Sequence, residues 1–438
     1  MSVFIGYPSF MAYQMMKGKK GNNDGFPSIP GMIARYSALG LTNEEMSKNP
    51  VWVDKTGNGH DLQMKNFAWK EGSGISDIYP GALVFDGVDD YGVCGNFPIL
   101  TKEKGYTVVA LRQWIEEKNS ITALVSNSKN WNQDGAFVFE YNNLENNYPN
   151  LEISFGSNTE LGREKSSFTY QTSKLYNGKE IKFGEFLGSD RLTVAKSNEN
   201  LSPNSNVAIW EIVILDHDAT EEELTKIKDY FVKTYPWLFP DQAWTVVGKT
   251  NEDEDRATIA NITGNGNDLV LSNFGFAEGS GYNEQGEYAG YLVTDEVDDK
   301  VQSSSFTMNE DWTIVGDWEL LSNVQINCGI VKAQNVYLYN TANGLLISIN
   351  NPRGLQSFGT KSLHAICSDG RLYDRNWVEY EYTVDQNFKI VESSLNIGFN
   401  LNNYTQIAFK NLGIYNNQIL SKDDCIKAYN YLQTLKAK

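Results

Sequence analysis

The chain has 438 residues, a length typical of two or three domains, and a formal charge of −18 that disfavours binding to nucleic-acid backbones and anionic membranes. It contains only three His residues, which argues against His-based catalysis and against a His-rich metal site. Asn (46 residues) and Gly (37 residues) make up about a fifth of the chain, and this composition favours many short strands joined by turns.

The first 24 residues differ in composition from the rest of the chain and have no counterpart later in it. Their large apolar side chains are Phe4, Ile5, Tyr7, Phe10, Met11, Tyr13, Met15 and Met16. Because exposed apolar surface of this size promotes aggregation, the segment either packs on its own domain or docks on another chain. We favour docking, as a virion anchor or an oligomer seam, since the Gly/Asn-rich residues 21–25 set the segment apart.

The N-terminus also lacks the pattern of a secretory signal. Lys17, Lys19 and Lys20 follow the apolar stretch instead of preceding it, and Pro8 interrupts it. No apolar run reaches the roughly 18 residues that span a bilayer. We therefore expect a protein that is made in a cytoplasm and is not exported by the usual route.

The remaining chain contains an internal duplication. Residues 56–62 (TGNGHDL) recur as residues 263–269 (TGNGNDL), an offset of 207. Residues 83–90 (LVFDGVDD) recur as residues 292–299 (LVTDEVDD) after a two-residue insertion. Because the order is kept and the offsets drift by only a few residues, we predict two copies of one domain of about 200 residues.

Each copy is predicted to contain short strands followed by one helix. Apolar residues that alternate in segments such as 207–214 predict strands, and Gly/Asn turns at roughly ten-residue spacing favour a sandwich. The closing helix of the first copy begins after Thr220, which forms a capping box with Glu223. In the second copy Ser421 and Asp424 occupy the same two positions. The predicted divisions are the N-terminal segment 1–24 and the domains 25–240 and 241–438.

The four cysteines are Cys94, Cys328, Cys367 and Cys425. They show no CxxC pair, and one lies in the first half of the chain against three in the second. This spacing indicates neither a disulfide framework nor a cysteine metal site. We expect buried thiols that act as small apolar side chains.

One stretch of the first copy carries a family resemblance. Residues 85–91 (FDGVDDY), preceded by residues 56–61 (TGNGHD), resemble the signature of laminin-G-like (concanavalin A-like) jelly-roll domains. The opening of this copy, residues 33–61, is similar to versions in phage and mobile-element proteins of gut Bacteroidetes. Such proteins include virion surface components, among them fibres of crAss-like phages.

The second copy departs from this signature, since Thr294, Glu296 and Lys300 stand where the first copy has Phe85, Gly87 and Tyr91. The resemblance still covers nearly all of the chain after the N-terminal segment. It implies an all-β fold of two tandem jelly-roll sandwiches, each closed by a short C-terminal helix, in a virion setting. It names no ligand.

The acidic residues of the repeated motif are Asp86, Asp89, Asp90, Asp295, Asp298 and Asp299. Carboxylates at this spacing are suitable ligands for Ca²⁺, and many laminin-G-like domains bind Ca²⁺ at a loop rim. Alternatively, they form Asx-type turns between two strands. We favour the turn, because the flanking residues are strand-like and the connection must be tight. No cofactor is expected, and Ca²⁺ is the alternative left open.

Two motifs that suggest catalysis are weak. Residues 56–59 lack the Lys-Ser/Thr ending and the following helix of a phosphate loop, so we predict a turn. Jelly-roll glycosidases of related fold carry Glu-x-Asp-x-x-Glu or a close variant on one strand, whereas Glu140 and Glu211 stand alone on their predicted strands. We therefore predict that the protein is not an enzyme.

Exposed aromatic rings offer a different activity, because they can stack on sugars. The available tryptophans are Trp69, Trp114, Trp131, Trp312, Trp318 and Trp377. A Trp in a sandwich is more often a core residue, but Trp131 lies in a polar segment with Asn132 and Asp134. We predict these three residues as a ligand-binding candidate, since Asn and Asp side chains can bind hydroxyl groups.

Together these features predict a non-enzymatic component of a phage virion surface: a head fibre, a tail fibre or a decoration protein. Its expected partners are other virion proteins, bound through the N-terminal segment, with a homo-oligomer and a host glycan left open. Neither nucleic acid nor membrane is expected as a partner. The alternative is a bacterial carbohydrate-binding adhesin, which the missing export signal disfavours.

Overall fold

The structure, a computed structural model, describes residues 24–100, 104–116, 123–127, 138–139, 167–180, 189–196, 204–321, 329–333, 336–341, 344–349, 356–358, 362–382, 391–397, 399–400 and 403–437. The chain divides into two compact units, one reaching residue 76 and continuing from 81 to 234, the other of residues 77–80 and 235 onward. Within the described ranges, no helix has the length and apolar character needed to cross a membrane.

The first unit is an all-β sandwich with two helices. Its strands are β1 (Met32–Ser37), β2 (Val51–Trp52), β3 (Leu62–Lys65), β4 (Gly74–Ile75), β5 (Leu83–Asp86), β6 (Tyr91–Cys94), β7 (Thr107–Glu116), β8 (Val125–Ser126), β9 (Val138–Phe139), β10 (Phe168–Thr172), β11 (Leu175–Tyr176), β12 (Lys179–Glu180), β13 (Leu192–Val194) and β14 (Asn206–Leu215). Helix α1 spans Asn43–Lys48 and helix α2 spans Glu221–Thr234.

The second unit is a sandwich of the same kind. Its strands are β15 (Gln242–Thr245), β16 (Thr258–Ile259), β17 (Leu269–Ser272), β18 (Gly281–Tyr282), β19 (Leu292–Val293), β20 (Lys300–Met308), β21 (Trp312–Leu320), β22 (Gly329–Ala333), β23 (Val336–Thr341), β24 (Gly344–Ile349), β25 (Gln356–Phe358), β26 (Leu363–Cys367), β27 (Arg371–Asp374), β28 (Glu379–Glu381), β29 (Val391–Ile397), β30 (Phe399–Asn400), β31 (Asn403–Tyr404) and β32 (Ile407–Asn416). Pro236–Leu238 form a 3-10 turn, and helix α3 spans Lys422–Gln433.

The two units have the same strand order, and all their pairings are antiparallel. One sheet of the first unit runs β12-β11-β10-β7-β14-β5-β4, with β1 also paired to β14. Its counterpart runs β28-β27-β26-β21-β32-β19-β18, with β15 paired to β32. The other sheets run β2-β3-β6-β13-β8-β9 and β16-β17-β20-β29-β22-β23, and the latter continues into β24 and β25. The duplication in sequence is therefore a duplication of topology.

Each sandwich has its own apolar core, because strands of both its sheets turn alternate side chains inward. In β3, Leu62 and Met64 are buried while Gln63 and Lys65 are exposed. β14 is buried at every position but its first, so this strand has no solvent-facing side. The fold is therefore all-β with a closing helix in each copy, as the sequence predicts.

The closing helices begin at the predicted caps. Thr220 Oγ1 accepts a hydrogen bond from the Glu223 N–H at 3.3 Å, and the Glu223 carboxylate accepts from the Thr220 N–H at 2.9 Å. Ser421 Oγ accepts from the Asp424 N–H at 3.1 Å. Both helices therefore start with a side-chain oxygen that satisfies a free backbone N–H group.

A buried threonine holds the turn before each closing helix. Thr107 Oγ1 donates to the carbonyl oxygen of His217 and accepts from the Ala219 N–H, both at 2.7 Å. Thr313 Oγ1 makes the matching bonds to Gln418 and Leu420 at 3.0 and 2.9 Å. These bonds identify Thr107 and Thr313 as equivalent positions.

Contacts at the ends of the first unit differ from the predicted divisions. Asp24, assigned by sequence to the N-terminal segment, accepts a 2.7 Å hydrogen bond from the buried Arg35 and therefore belongs with the first domain. Residues 235–240, assigned by sequence to the first domain, lie in the second unit. There the Tyr415 hydroxyl donates to the carbonyl oxygen of Trp237 at 2.9 Å.

Candidate functional site

The Asp-rich motif of the first unit forms the turn between β5 and β6. Asp86 Oδ1 accepts hydrogen bonds from the N–H groups of Val88 at 2.7 Å and Asp89 at 3.2 Å. It also accepts from the Asp90 N–H at 3.4 Å, and Asp90 Oδ2 accepts from the Asp86 N–H at 3.1 Å. The first and last carboxylates of the motif thus satisfy the backbone of the turn that carries them.

The second unit repeats this turn. Asp295 Oδ1 accepts from the N–H groups of Val297 at 2.9 Å and Asp298 at 3.2 Å. It also accepts from Asp299 N–H at 3.3 Å, and Asp299 Oδ2 accepts from Asp295 N–H at 2.8 Å. The hydrogen bonds of the turn survive although Glu296 replaces Gly87, which has a φ of +73° in the first copy.

Each motif also gathers three carboxylates, with one oxygen of each lying within 4.8 Å of the others. Ca²⁺ takes six to eight oxygen ligands, but two oxygens of each motif are engaged by backbone N–H groups. Burial raises the pKa of Asp90 to about 6, and the neighbouring Asp86 and Asp89 charges act in the same direction. Asp299 behaves in the same way, with a pKa of about 6. The hydrogen bonds fit the turn interpretation, and calcium remains the alternative to test.

Substitution of Asp86 distinguishes the two interpretations. Asp86→Ala should lower the free energy of unfolding by roughly 1–2 kcal/mol, because three backbone N–H groups lose their acceptor. Asp86→Asn keeps an acceptor oxygen and should remain close to the wild type. Thermal unfolding with and without millimolar CaCl₂ measures both effects. A calcium-dependent rise in melting temperature that Asp86→Asn abolishes would contradict the turn interpretation.

The tryptophans considered for sugar stacking fall into two groups. Trp312 and Trp318 are buried in the second core and cannot contact a ligand. Trp69 and Trp114 are partly exposed and pack against the first core. Trp377 is partly exposed and lies in the turn between β27 and β28. The predicted ligand-binding residues Trp131, Asn132 and Asp134 lie outside the described residues.

Trp377 is held in an unusual backbone conformation. Its φ is +60°, in the left-handed region that bulky residues rarely adopt. The corresponding turn of the first unit, between β11 and β12, has Asn177 and Gly178 at positive φ, which suits those residues. The Trp377 ring lies 5.5 Å from His364 and 5.7 Å from Tyr429 between centroids.

Asp317 on β21 organises the rings beside Trp377. Its Oδ2 accepts hydrogen bonds from the Tyr291 hydroxyl at 3.0 Å and from Gln433 Nε2 at 2.9 Å. Burial, with the nearby Asp317 charge, raises the pKa of both Tyr291 and Tyr429, so both phenols stay neutral. The second unit therefore presents a partly exposed indole in contact with the rings of His364 and Tyr429, a surface able to stack on a sugar ring.

The Gly-rich repeat is a turn, as predicted. Asp54 Oδ1 accepts from the N–H of Thr56 at 3.0 Å and from its hydroxyl at 2.8 Å. In the second unit Asn261 Oδ1 makes the same two bonds to Thr263, at 3.1 and 2.9 Å. The side chain before each repeat therefore fixes the turn, and no helix follows residues 56–59 in this fully described region.

Glu211, one of the two glutamates considered for hydrolysis, is engaged in an ion pair. Its Oε2 accepts from Arg35 Nε at 2.9 Å and its Oε1 from Arg35 Nη2 at 3.0 Å. Both residues are fully buried. Because both oxygens of the Glu211 carboxylate bind a buried guanidinium, this residue stabilises the fold. Glu140 lies outside the described residues.

No family model matches the chain, and no curated protein is similar to it in sequence. Among solved structures, the chain is similar to Trypanosoma rangeli sialidase in complex with sialic acid, with 10% identity, a TM-score of 0.32 and 62% of this chain covered. That match spans about half of the sialidase chain, 49%. The chain is also similar to the binding domain of botulinum neurotoxin serotype D, with 10% identity, a TM-score of 0.33 and coverage of 89% of this chain and 96% of that one.

Proposed function

We propose that this chain is a non-enzymatic structural component of a phage virion surface, a head fibre, a tail fibre or a decoration protein. It displays two jelly-roll domains and attaches to the particle through its N-terminal segment. The observation that carries the proposal is the resemblance of residues 33–61 to phage versions of the laminin-G-like domain. The proposal places the protein outside the cell after lysis, which requires no export signal.

The roles of four acidic side chains support a structural function. Glu211 neutralises Arg35, Asp86 and Asp295 each satisfy a turn, and Asp317 orients two neighbouring side chains. In each of these places the carboxylate accepts hydrogen bonds from its own domain. Such an arrangement stabilises the fold.

The contacts of Asp24 and Phe26 support attachment through the preceding residues. Asp24 accepts from Arg35 Nη1 at 2.7 Å, and the Phe26 ring lies 4.0 Å from the Arg35 guanidinium carbon. The same ring lies 4.8 Å from the ring of Tyr230 on α2. The chain therefore leaves residue 24 from a point fixed to the first domain, a suitable connection for a load-bearing anchor.

The test is the location of the chain in a lysate of its phage. Antibody against the purified chain should label banded particles in electron micrographs, and the chain should sediment with them. Recovery from the host envelope in cultures that contain no particles would contradict the proposal. Release of reducing ends from bacterial polysaccharides, abolished by one Glu or Asp substitution, would contradict its non-enzymatic part.

The alternative is a bacterial carbohydrate-binding adhesin, and one surface of the second unit is consistent with it. The strained Trp377 and the rings of His364 and Tyr429 beside it form a surface suited to a sugar ring. Glycan binding is compatible with both functions, because a fibre can also attach to a host or mucosal glycan. Labelling of intact bacterial cells without particles would select the adhesin.

A further inference from the structure

Two buried thiols meet where the closing helix of the second unit joins its sheet. Cys367 ends strand β26, and Cys425 lies in the first turns of α3. Both side chains are fully buried, and each sulfur lies 4.0 Å from the carbonyl oxygen of Leu420. The two sulfurs therefore lie beside the same carbonyl oxygen. Residues that are 58 positions apart in sequence are thus direct neighbours.

The surroundings favour a thiolate at Cys367. The neighbouring Cys425 side chain lowers the pKa of Cys367 and the Arg371 charge acts in the same direction, against the opposing effects of burial and of the Asp369 charge. The Thr313 hydroxyl lies 3.9 Å from the Cys367 sulfur. Arg371 Nη2 donates to the carbonyl oxygen of Leu420 at 3.1 Å, which places its charge beside the pair. The neighbouring Cys367 sulfur and burial raise the pKa of Cys425, so the thiolate is favoured at Cys367 over Cys425.

The first unit has no thiol at either position. Thr172 pairs with Thr107 across β10 and β7 as Cys367 pairs with Thr313 across β26 and β21. The alignment of α2 with α3 places Leu224 at the position of Cys425. The thiol pair is therefore a feature of the second copy, added to a fold that is complete without it.

We propose that Cys367 and Cys425 form a dithiol that a peroxide oxidises to a disulfide, which locks α3 onto the sheet of the second domain. The Cys367 thiolate attacks hydrogen peroxide and, with one proton, gives a sulfenic acid and water. The Cys425 sulfur then attacks the sulfenic sulfur, and its proton leaves with the hydroxyl as a second water. The two thiols lose two electrons and two protons in total, and the peroxide gains them.

Access to the buried sulfurs requires only a local opening. Helix α3 packs against β21 and β32 through side chains and contributes no strand to either sheet. It can therefore lift without breaking the sheet, and such local openings need less free energy than global unfolding. The chain would fold with free thiols in a reducing cytoplasm and become cross-linked when it meets an oxidant outside.

The experiment treats the folded full-length chain with hydrogen peroxide. The intact mass should fall by about 2 Da, and non-reducing peptide mapping should recover one cross-linked peptide that joins Cys367 to Cys425. Dithiothreitol should reverse the change. The melting temperature of the second domain should rise by roughly 10 °C, because the bond closes a 58-residue loop in the unfolded chain.

Two variants make the test specific. Cys425→Ser should yield no cross-linked peptide, whereas Cys94→Ser should behave as the wild type, since Cys94 is buried in the first unit. The peptide map of the oxidised wild-type chain tests the proposal even if Cys425→Ser folds poorly. Recovery of Cys367 and Cys425 as separate alkylated peptides, as sulfinic acids, or in disulfides with other partners would overturn the proposal.

Discussion

Replacing Glu211 by alanine should lower the free energy of unfolding of the first unit by about 3–5 kcal/mol. Arg35 and Glu211 are fully buried, and two N–H···O bonds of 2.9 and 3.0 Å join them. Without this carboxylate, the described polar partners of the Arg35 guanidinium are Asp24 and the Tyr230 hydroxyl. The loss of stability is large because the buried Arg35 cation no longer has the negative charge of Glu211 beside it.

The second unit contains a matched control. Ala243 and Asn411 occupy the positions of Arg35 and Glu211, as the pairing of β1 with β14 and of β15 with β32 shows. The Asn411 amide is buried, and within the described ranges neither its nitrogen nor its oxygen has a hydrogen-bond partner. Asn411→Leu should therefore leave the stability of the second unit unchanged or raise it.

Urea unfolding measures the change in the free energy of unfolding for each variant. Hydrogen exchange of peptides from β14 and β32 shows in which unit that change occurs. The expected result is a marked loss of protection in β14 for Glu211→Ala and none in β32 for Asn411→Leu. Equal losses in the two variants would show that the position itself, and not the ion pair, carries the stability. That outcome would contradict the role assigned to Arg35.

Local patterns were sufficient to predict much of the fold. The capping boxes at Thr220 and Ser421 lie within four residues each, so they are visible in the sequence and recur in the structure. The duplication needs only the order of short motifs, and it predicts two domains of one kind. The pairing of β1 with the last strand was not predictable, because Arg35 and Glu211 are 176 positions apart.

The candidate sites likewise divide into those formed by local sequence motifs and those formed by residues far apart in the sequence. The turns at Asp86 and Asp295 are local, and the hydrogen bonds of both could be anticipated from one motif. The cluster around Trp377 draws residues from β21, β26, α3 and the loop before β19, and no spacing in the sequence relates them. The contact between Cys367 and Cys425 was missed for the same reason, since pairing of cysteines depends on the topology that brings them together.

Removing the N-terminal segment should abolish incorporation into particles while leaving both domains folded. The segment carries eight large apolar side chains within its first 16 residues. Burial of half of them against a partner removes apolar surface worth roughly 1.5–3 kcal/mol per side chain, enough for attachment after the cost of ordering. Charge attraction cannot replace this apolar contact, because the acidic chain repels like-charged surfaces. Salt also screens any attraction between opposite charges on the two partners.

The contact between Asp24 and Arg35 determines where the truncation should end. A chain lacking residues 2–22 keeps Asp24 and should melt at the wild-type temperature. A chain lacking residues 2–24 should lose about 1 kcal/mol or less, because Asp24 is part of the Arg35 network but its side chain is 32% exposed. Neither chain should assemble into particles, and light scattering of each measures any accompanying loss of self-association. If the chain lacking residues 2–22 melts many degrees below the wild type yet still assembles, the segment is part of the first domain's core and the docking proposal is wrong.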